Sequence, residues 1–118
     1  RRSVLAGASG TSLAFGLGHI DGTAPPNAPG NCVLAGHRDG EMAFLERVRR
    51  GDVLRLRTAG ASGDYVVDGI RVVARSDISP LRGADADRLT LVTCYPFGGL
   101  LRSPWRYVVT AARSITDP

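Results

Sequence analysis

The stretch Leu89-Thr90-Leu91-Val92-Thr93-Cys94 reads as a strand that ends on a thiol. A second run, Arg106-Tyr107-Val108-Val109-Thr110-Ala111, opens on a guanidinium. Upstream, His37 stands at the exit of a third apolar run in Val33-Leu34-Ala35-Gly36-His37-Arg38-Asp39. A thiol acts as a nucleophile only as its thiolate, whose free pKa is near ~8.5, so it gains from nearby positive charge. An always-charged arginine can also hold the oxyanion of an acyl transfer. All three residues sit at strand ends, where loops meet a rigid scaffold and sites are commonly built.

Outward from these runs, most of the chain reads as short strands. Residues 31–36 form a buried strand that leads to His37. In Val53-Leu54-Arg55-Leu56-Arg57 the period is two, with the leucines inward and the arginines outward. A glycine-rich turn at 60–63 leads to a strand over 65–73, bent near Gly69. Residues 3–6 and 12–15 are short apolar runs, a strand pair or one bent strand. Residues 16–30 form a loop with Pro25, Pro26 and Pro29. Residues 77–87 form a polar loop, and residues 95–105 carry too much proline and glycine for a helix. The one helix expected lies over 41–50, with Phe44, Leu45 and Val48 on one face and Gly51 in the C-cap position. Many short strands with a small helix predict an all-β barrel or sandwich.

With 118 residues the chain makes one domain, 1–118. It begins Arg1-Arg2 with no initiator Met, which reads as a fragment or a processed piece, expected to lack an N-terminal membrane anchor. No apolar run approaches the ~18 residues of a membrane helix. Net charge is +4, carried by fifteen arginines and no lysine. The arginines are scattered, which favours a solvated surface over nucleic-acid binding. No internal lysine can serve as an acyl acceptor. Cysteine and histidine spacing matches no zinc motif, and neither a metal nor a cofactor is expected. Alternation along residues 31–37 puts Cys32, Leu34 and Gly36 on one face and Val33, Ala35 and His37 on the other. A Cys94 that meets His37 therefore does not also meet Cys32, which reads as a buried core thiol.

Thr90-Leu91-Val92-Thr93-Cys94 resembles the Thr-Leu-x-Thr-Cys signature of sortases, the cysteine transpeptidases of bacterial cell surfaces. Leu34-Ala35-Gly36-His37-Arg38 resembles their histidine motif, and Arg106-Tyr107-Val108-Val109 the strand that carries their arginine. The resemblance runs from about residue 13 to residue 112, in the family's order. Cys94-Tyr95-Pro96-Phe97 leans toward class D sortases or the related Gram-negative group. The resemblance implies a closed eight-stranded sortase β-barrel with one or two short helices, its first strand truncated here.

It also implies three roles: Cys94 as nucleophile, His37 as general acid/base and Arg106 as oxyanion and substrate clamp. The substrate would be a surface protein bearing a Leu-Pro-x-Thr-Gly-like sorting signal. The acyl group would pass to an amine on a peptidoglycan precursor or a pilin lysine. The enzyme would work as a monomer on the extracytoplasmic face of the membrane. A substrate groove is expected near Ala35, Thr93 and Cys94; for Thr93 a cross-strand threonine pair is the alternative. Trp105 either lines the rim of the site or anchors a loop. His19 reads as structural, and Asp39 as a helix cap. Asp77, Asp85 and Asp87 loosely resemble the calcium loop of some sortases, but a solvated loop is the favoured reading. Two other readings stay open: a cysteine endopeptidase on the same scaffold, which releases the acyl group to water, and a non-catalytic binding barrel.

Overall fold

The computed structural model describes residues 2–5, 18–20, 22–36, 42–58, 61–97 and 103–114. Seven strands follow in chain order: β1 (Arg2–Leu5), β2 (Gly18–His19), β3 (Asn31–Ala35), β4 (Val53–Thr58), β5 (Ala61–Ala74), β6 (Arg88–Tyr95) and β7 (Trp105–Arg113). They form one sheet in the order β1-β4-β5-β7-β6-β3-β2. The pairs β1·β4 and β3·β6 are parallel and the rest antiparallel. The all-β expectation holds. Among the described residues there are seven strands, and the edge strands β1 and β2 do not pair with each other, so the sheet is a curled half-barrel.

Period-two alternation builds the core as rungs that run across the strands. Cys32, Leu89, Ala111 and Val67 are successive Cα partners on β3, β6, β7 and β5, and Leu34, Leu91, Val109 and Ile70 form the next rung. All eight belong to the apolar core or pack against it. Val67 and Ile70 are three apart, which plain alternation forbids on one face. A bulge between Val67 and Gly69 inserts Asp68 and restores the phase. The bend foreseen near Gly69 is this bulge. Gly69 itself has no room for a side chain, since a Cβ there would lie 2.5 Å from Thr110 Oγ1. The extra residue is used: Asp68 accepts from Arg88 at 2.7 Å and from Thr110 at 2.9 Å.

Two local expectations are corrected. The helix over 41–50 is a 3-10 segment, Ala43–Arg47. Met42, Leu45 and Val48 are all buried, and their three-residue spacing matches the 3-10 period. The turn expected over 60–63 is tighter. Thr58 already pairs with Ala61, and Gly63 pairs with Leu56 inside the strand. Gly63 serves close packing, because a Cβ there would meet Asn27 Oδ1 at 2.5 Å and Arg113 Cζ at 2.7 Å. Of the N-terminal apolar runs, the first contributes to β1 and the second lies outside the described residues.

Between β5 and β6 the chain crosses the outer face of the sheet. Ser79–Leu81, a 3-10 segment, lies on this crossover. Arg71 on β5 reaches Ser79 Oγ at 3.4 Å, and Asn31 on β3 donates to the carbonyls of Pro80 and Arg82 at 3.0 and 2.9 Å. The crossover thus runs from β5 to β3 over the outer face, on which Val108 and Val33 are fully buried although they face away from the core. Among the described residues no helix is long and apolar enough to cross a membrane.

Candidate active site

Cys94 and Arg106 are Cα partners in the β6·β7 pair. Directly paired residues on antiparallel strands project from the same face with Cβ atoms roughly 4.5–5.5 Å apart. That face is the outer one, because Leu89, Leu91, Val109 and Ala111 hold the inner one. On it lies a groove of about 340 Å³ lined by Cys94, Arg106, Val92, Thr93, Ala35, Gly36 and Gly18. The crossover covers the other end of the same face, so the groove is the part of this surface left open beside β3, β6 and β7.

The guanidinium is held by the backbone. Arg106 Nη1 donates to Ser103 O and Trp105 O, each at 2.8 Å. Among the described residues no carboxylate pairs with it, so its charge is available to a ligand in the groove. Ser103 fixes the base of this hairpin: its hydroxyl donates to Tyr95 O and accepts from Trp105 N at 3.1 Å. Ser103 was not singled out from the sequence. A serine before Pro104 at a strand start is the signal that points to it.

Thr93 is buried. Its hydroxyl donates to Gly36 O at 2.8 Å, and Gly36 N donates to Val92 O at 3.2 Å. Two bonds thus tie the exit of β3 to the strand that carries the thiol, and no cross-strand threonine pair accounts for Thr93, whose β7 partner is Tyr107. Ala35 pairs with Val92 and lines the groove. His37 follows Gly36 directly in the chain but lies outside the described residues, as does Asp39. Trp105 is half exposed. Alternation turns it to the opposite face from Arg106, and it is not among the residues that line the groove.

Cys32 and Cys94 are both free. Cys32 is fully buried on the core side, where desolvation pushes its thiol up to about 12. His19 is structural: its Nε2 donates to Ala24 O at 2.8 Å and lies 3.0 Å from Thr23 Oγ1. A carbonyl can only accept, so Nε2 carries the hydrogen. Two of the loop acids accept backbone hydrogen bonds, Asp77 within its own turn and Asp87 from a distant segment. Asp77 accepts from Ser79 N at 2.8 Å and Asp87 from Gly30 N at 3.3 Å. No group of three metal-ligating side chains forms among the described residues.

Residues 1–114 match the family model of the sortase domain. The chain is 30% identical over 111 residues to Sortase D of Bacillus subtilis (strain 168), covering 93% of this chain and 56% of that protein. It thus spans little more than half the length of that relative. It superposes on Sortase A from Corynebacterium diphtheriae with a TM-score of 0.77 at 32% identity, over 92% of this chain and 52% of the other. A Clostridium perfringens Sortase D5 transpeptidase gives a TM-score of 0.74 at 30% identity, over 94% and 70%.

Proposed function

The chain belongs to the sortase family, and from that premise we infer that it is a cysteine transpeptidase acting on surface proteins that carry a Leu-Pro-x-Thr-Gly-like sorting signal. The observation that carries this reading is the cross-strand pairing of Cys94 with Arg106 over one groove. The C. perfringens relative described as a transpeptidase supports it. The thiolate of Cys94 attacks the carbonyl carbon of the scissile peptide bond. Negative charge gathers on the carbonyl oxygen, and the Arg106 guanidinium, unopposed by any described carboxylate, faces it. His37 gives its proton to the departing amine as the C–N bond breaks, which leaves a thioacyl group on Cys94. An acceptor amine then attacks the thioester carbon, the C–S bond breaks, and the proton shed by the new amide returns to His37. The work is done outside the cytoplasm, where sorting-signal substrates are anchored.

The test is a trapping experiment. The protein is incubated with a sorting-signal peptide, and the intact mass is measured with and without an added amine. A thioacyl adduct on Cys94 that disappears when amine is added, with ligated product formed, is the expected result. Cleavage that survives in Cys94→Ala removes the assignment.

A further inference from the structure

Ser103 lies just before β7 and is buried. Pro104, which follows it, has no N–H to add to a ladder, so other groups tie this strand start. The Ser103 hydroxyl donates to Tyr95 O at the exit of β6 and accepts from Trp105 N at 3.1 Å. Tyr95 and Trp105 are Cα partners. The hydroxyl therefore sits in the last rung of the β6·β7 pair, beside the rung of Cys94 and Arg106. On the other side of the segment, Pro104 O accepts from Arg75 N at 2.7 Å, just past the end of β5.

The same short segment holds the arginine. Arg106 Nη1 donates to Ser103 O and to Trp105 O, each at 2.8 Å. A guanidinium has five N–H donors, two of them on Nη1, so this arrangement leaves three on Nη2 and Nε for a ligand. Arg106 lines the Cys94 groove. Fixing a long side chain costs rotamer entropy, and here two carbonyls fix it before any ligand arrives. Those carbonyls keep their direction because residues 103–105 are clamped from both sides. Among the described residues no carboxylate shares this task.

We propose that Ser103 is a positioning residue: its hydroxyl bridge across the end of the β6·β7 pair sets the backbone carbonyls that aim the Arg106 guanidinium over the Cys94 groove. The proposal rests on the transpeptidase reading, in which Arg106 receives the oxyanion. Without the hydroxyl, Tyr95 O and Trp105 N lose their shared partner. The segment relaxes and the guanidinium spreads over several directions. The charge remains on the molecule, but its place is lost. Donors fixed in advance stabilise a transition state because nothing has to reorganise as charge develops.

The experiment compares the rates at which iodoacetate and iodoacetamide alkylate Cys94, read by mass spectrometry. Both reagents react with the thiolate, so a change in thiolate fraction cancels in the ratio of the two rates. The ratio then reports how well a fixed cation meets the anionic reagent. Arg106→Ala should lower it by about two- to fivefold, the size of one exposed ion pair. Ser103→Ala should produce most of that fall, Ser103→Thr little of it, and Ser103→Ala in the Arg106→Ala background none. Cys32, buried in the core, should stay unlabelled throughout, which shows that each variant is folded. In the unsubstituted protein, guanidinium NMR should show Arg106 Nη1 and Nη2 as separate signals, because the two carbonyls stop their exchange by rotation. An unchanged ratio in Ser103→Ala, an equal fall in the Arg106→Ala background, or averaged Nη signals would overturn the proposal. Alkylation needs no substrate. A ratio that falls in Ser103→Ala while the unsubstituted protein forms no thioacyl adduct refutes the transpeptidase reading and leaves the positioning role standing.

Discussion

Cys94 on β6 and Arg106 on β7 face each other across one antiparallel pair, so the thiol and the guanidinium leave the same face of the sheet. The guanidinium is oriented by two backbone carbonyls, and among the described residues no acid pairs with it. Arg106→Ala is expected to slow thioacyl formation by ~10²–10³-fold, the usual loss of one oxyanion donor. Arg106→Lys should recover little, because an ammonium lacks the planar fork. Single-turnover mass spectrometry gives the rate; adduct formation at the parental rate in Arg106→Ala would remove Arg106 from the chemistry.

Thr93 ties the β3 exit to β6 through Gly36 O. Thr93→Val keeps the shape and removes only the donor, at a cost of about 1 kcal/mol in stability. Activity should fall further than this stability loss alone explains, with Thr93→Ser restoring most of it. Denaturant unfolding and the ligation rate are measured side by side. Equal activity in the Val and Thr forms would show that the bond does not position the site.

Asn31 anchors the crossover with two donated bonds and accepts a third from Thr90 at 2.7 Å. Asn31→Leu strands several buried polar groups, each costing about 1–3 kcal/mol. Expected are a clear drop in unfolding free energy and faster proteolysis within residues 75–87. If cleavage there is unaffected, the crossover is held by packing alone.

Cys32 carries its proton in the folded state to about pH 12 against an ordinary value of 9.0. Above pH 9 the unfolded chain loses this proton while the folded chain keeps it. Stability present below pH 9 should therefore decline as pH rises toward 12. Cys32→Ala should flatten that decline while lowering stability at neutral pH through the cavity left behind. At neutral pH iodoacetamide should label Cys94 and spare Cys32 until the protein is denatured; equal labelling of both would contradict the burial of Cys32.

Much of the strand content was legible because side-chain alternation is a local property. Leu54 and Leu56 turn inward with Arg55 and Arg57 outward, and Cys32 faces away from Ala35, as the period requires. The 3-10 turn was misread as a longer helix because Phe44, Leu45 and Val48 mimic one helical face over so few residues. Gly63 looked like a turn glycine, since its crowding by Asn27 and Arg113 depends on residues far away in the chain. Ser103 and Asn31 were silent for the same reason: their partners are backbone carbonyls supplied by other segments.

The sequence by itself determined the strands, the face each side chain takes and the identity of the reactive groups, because these follow from neighbours a few residues apart. Only the tertiary structure decided register and adjacency. It set β3 parallel to β6, matched Cys94 to Arg106, phased β5 with the Asp68 bulge, and put the Ser103 hydroxyl between Tyr95 and Trp105. A period of two says which way a side chain points but not which strand lies beside it, and that choice depends on how the whole core closes.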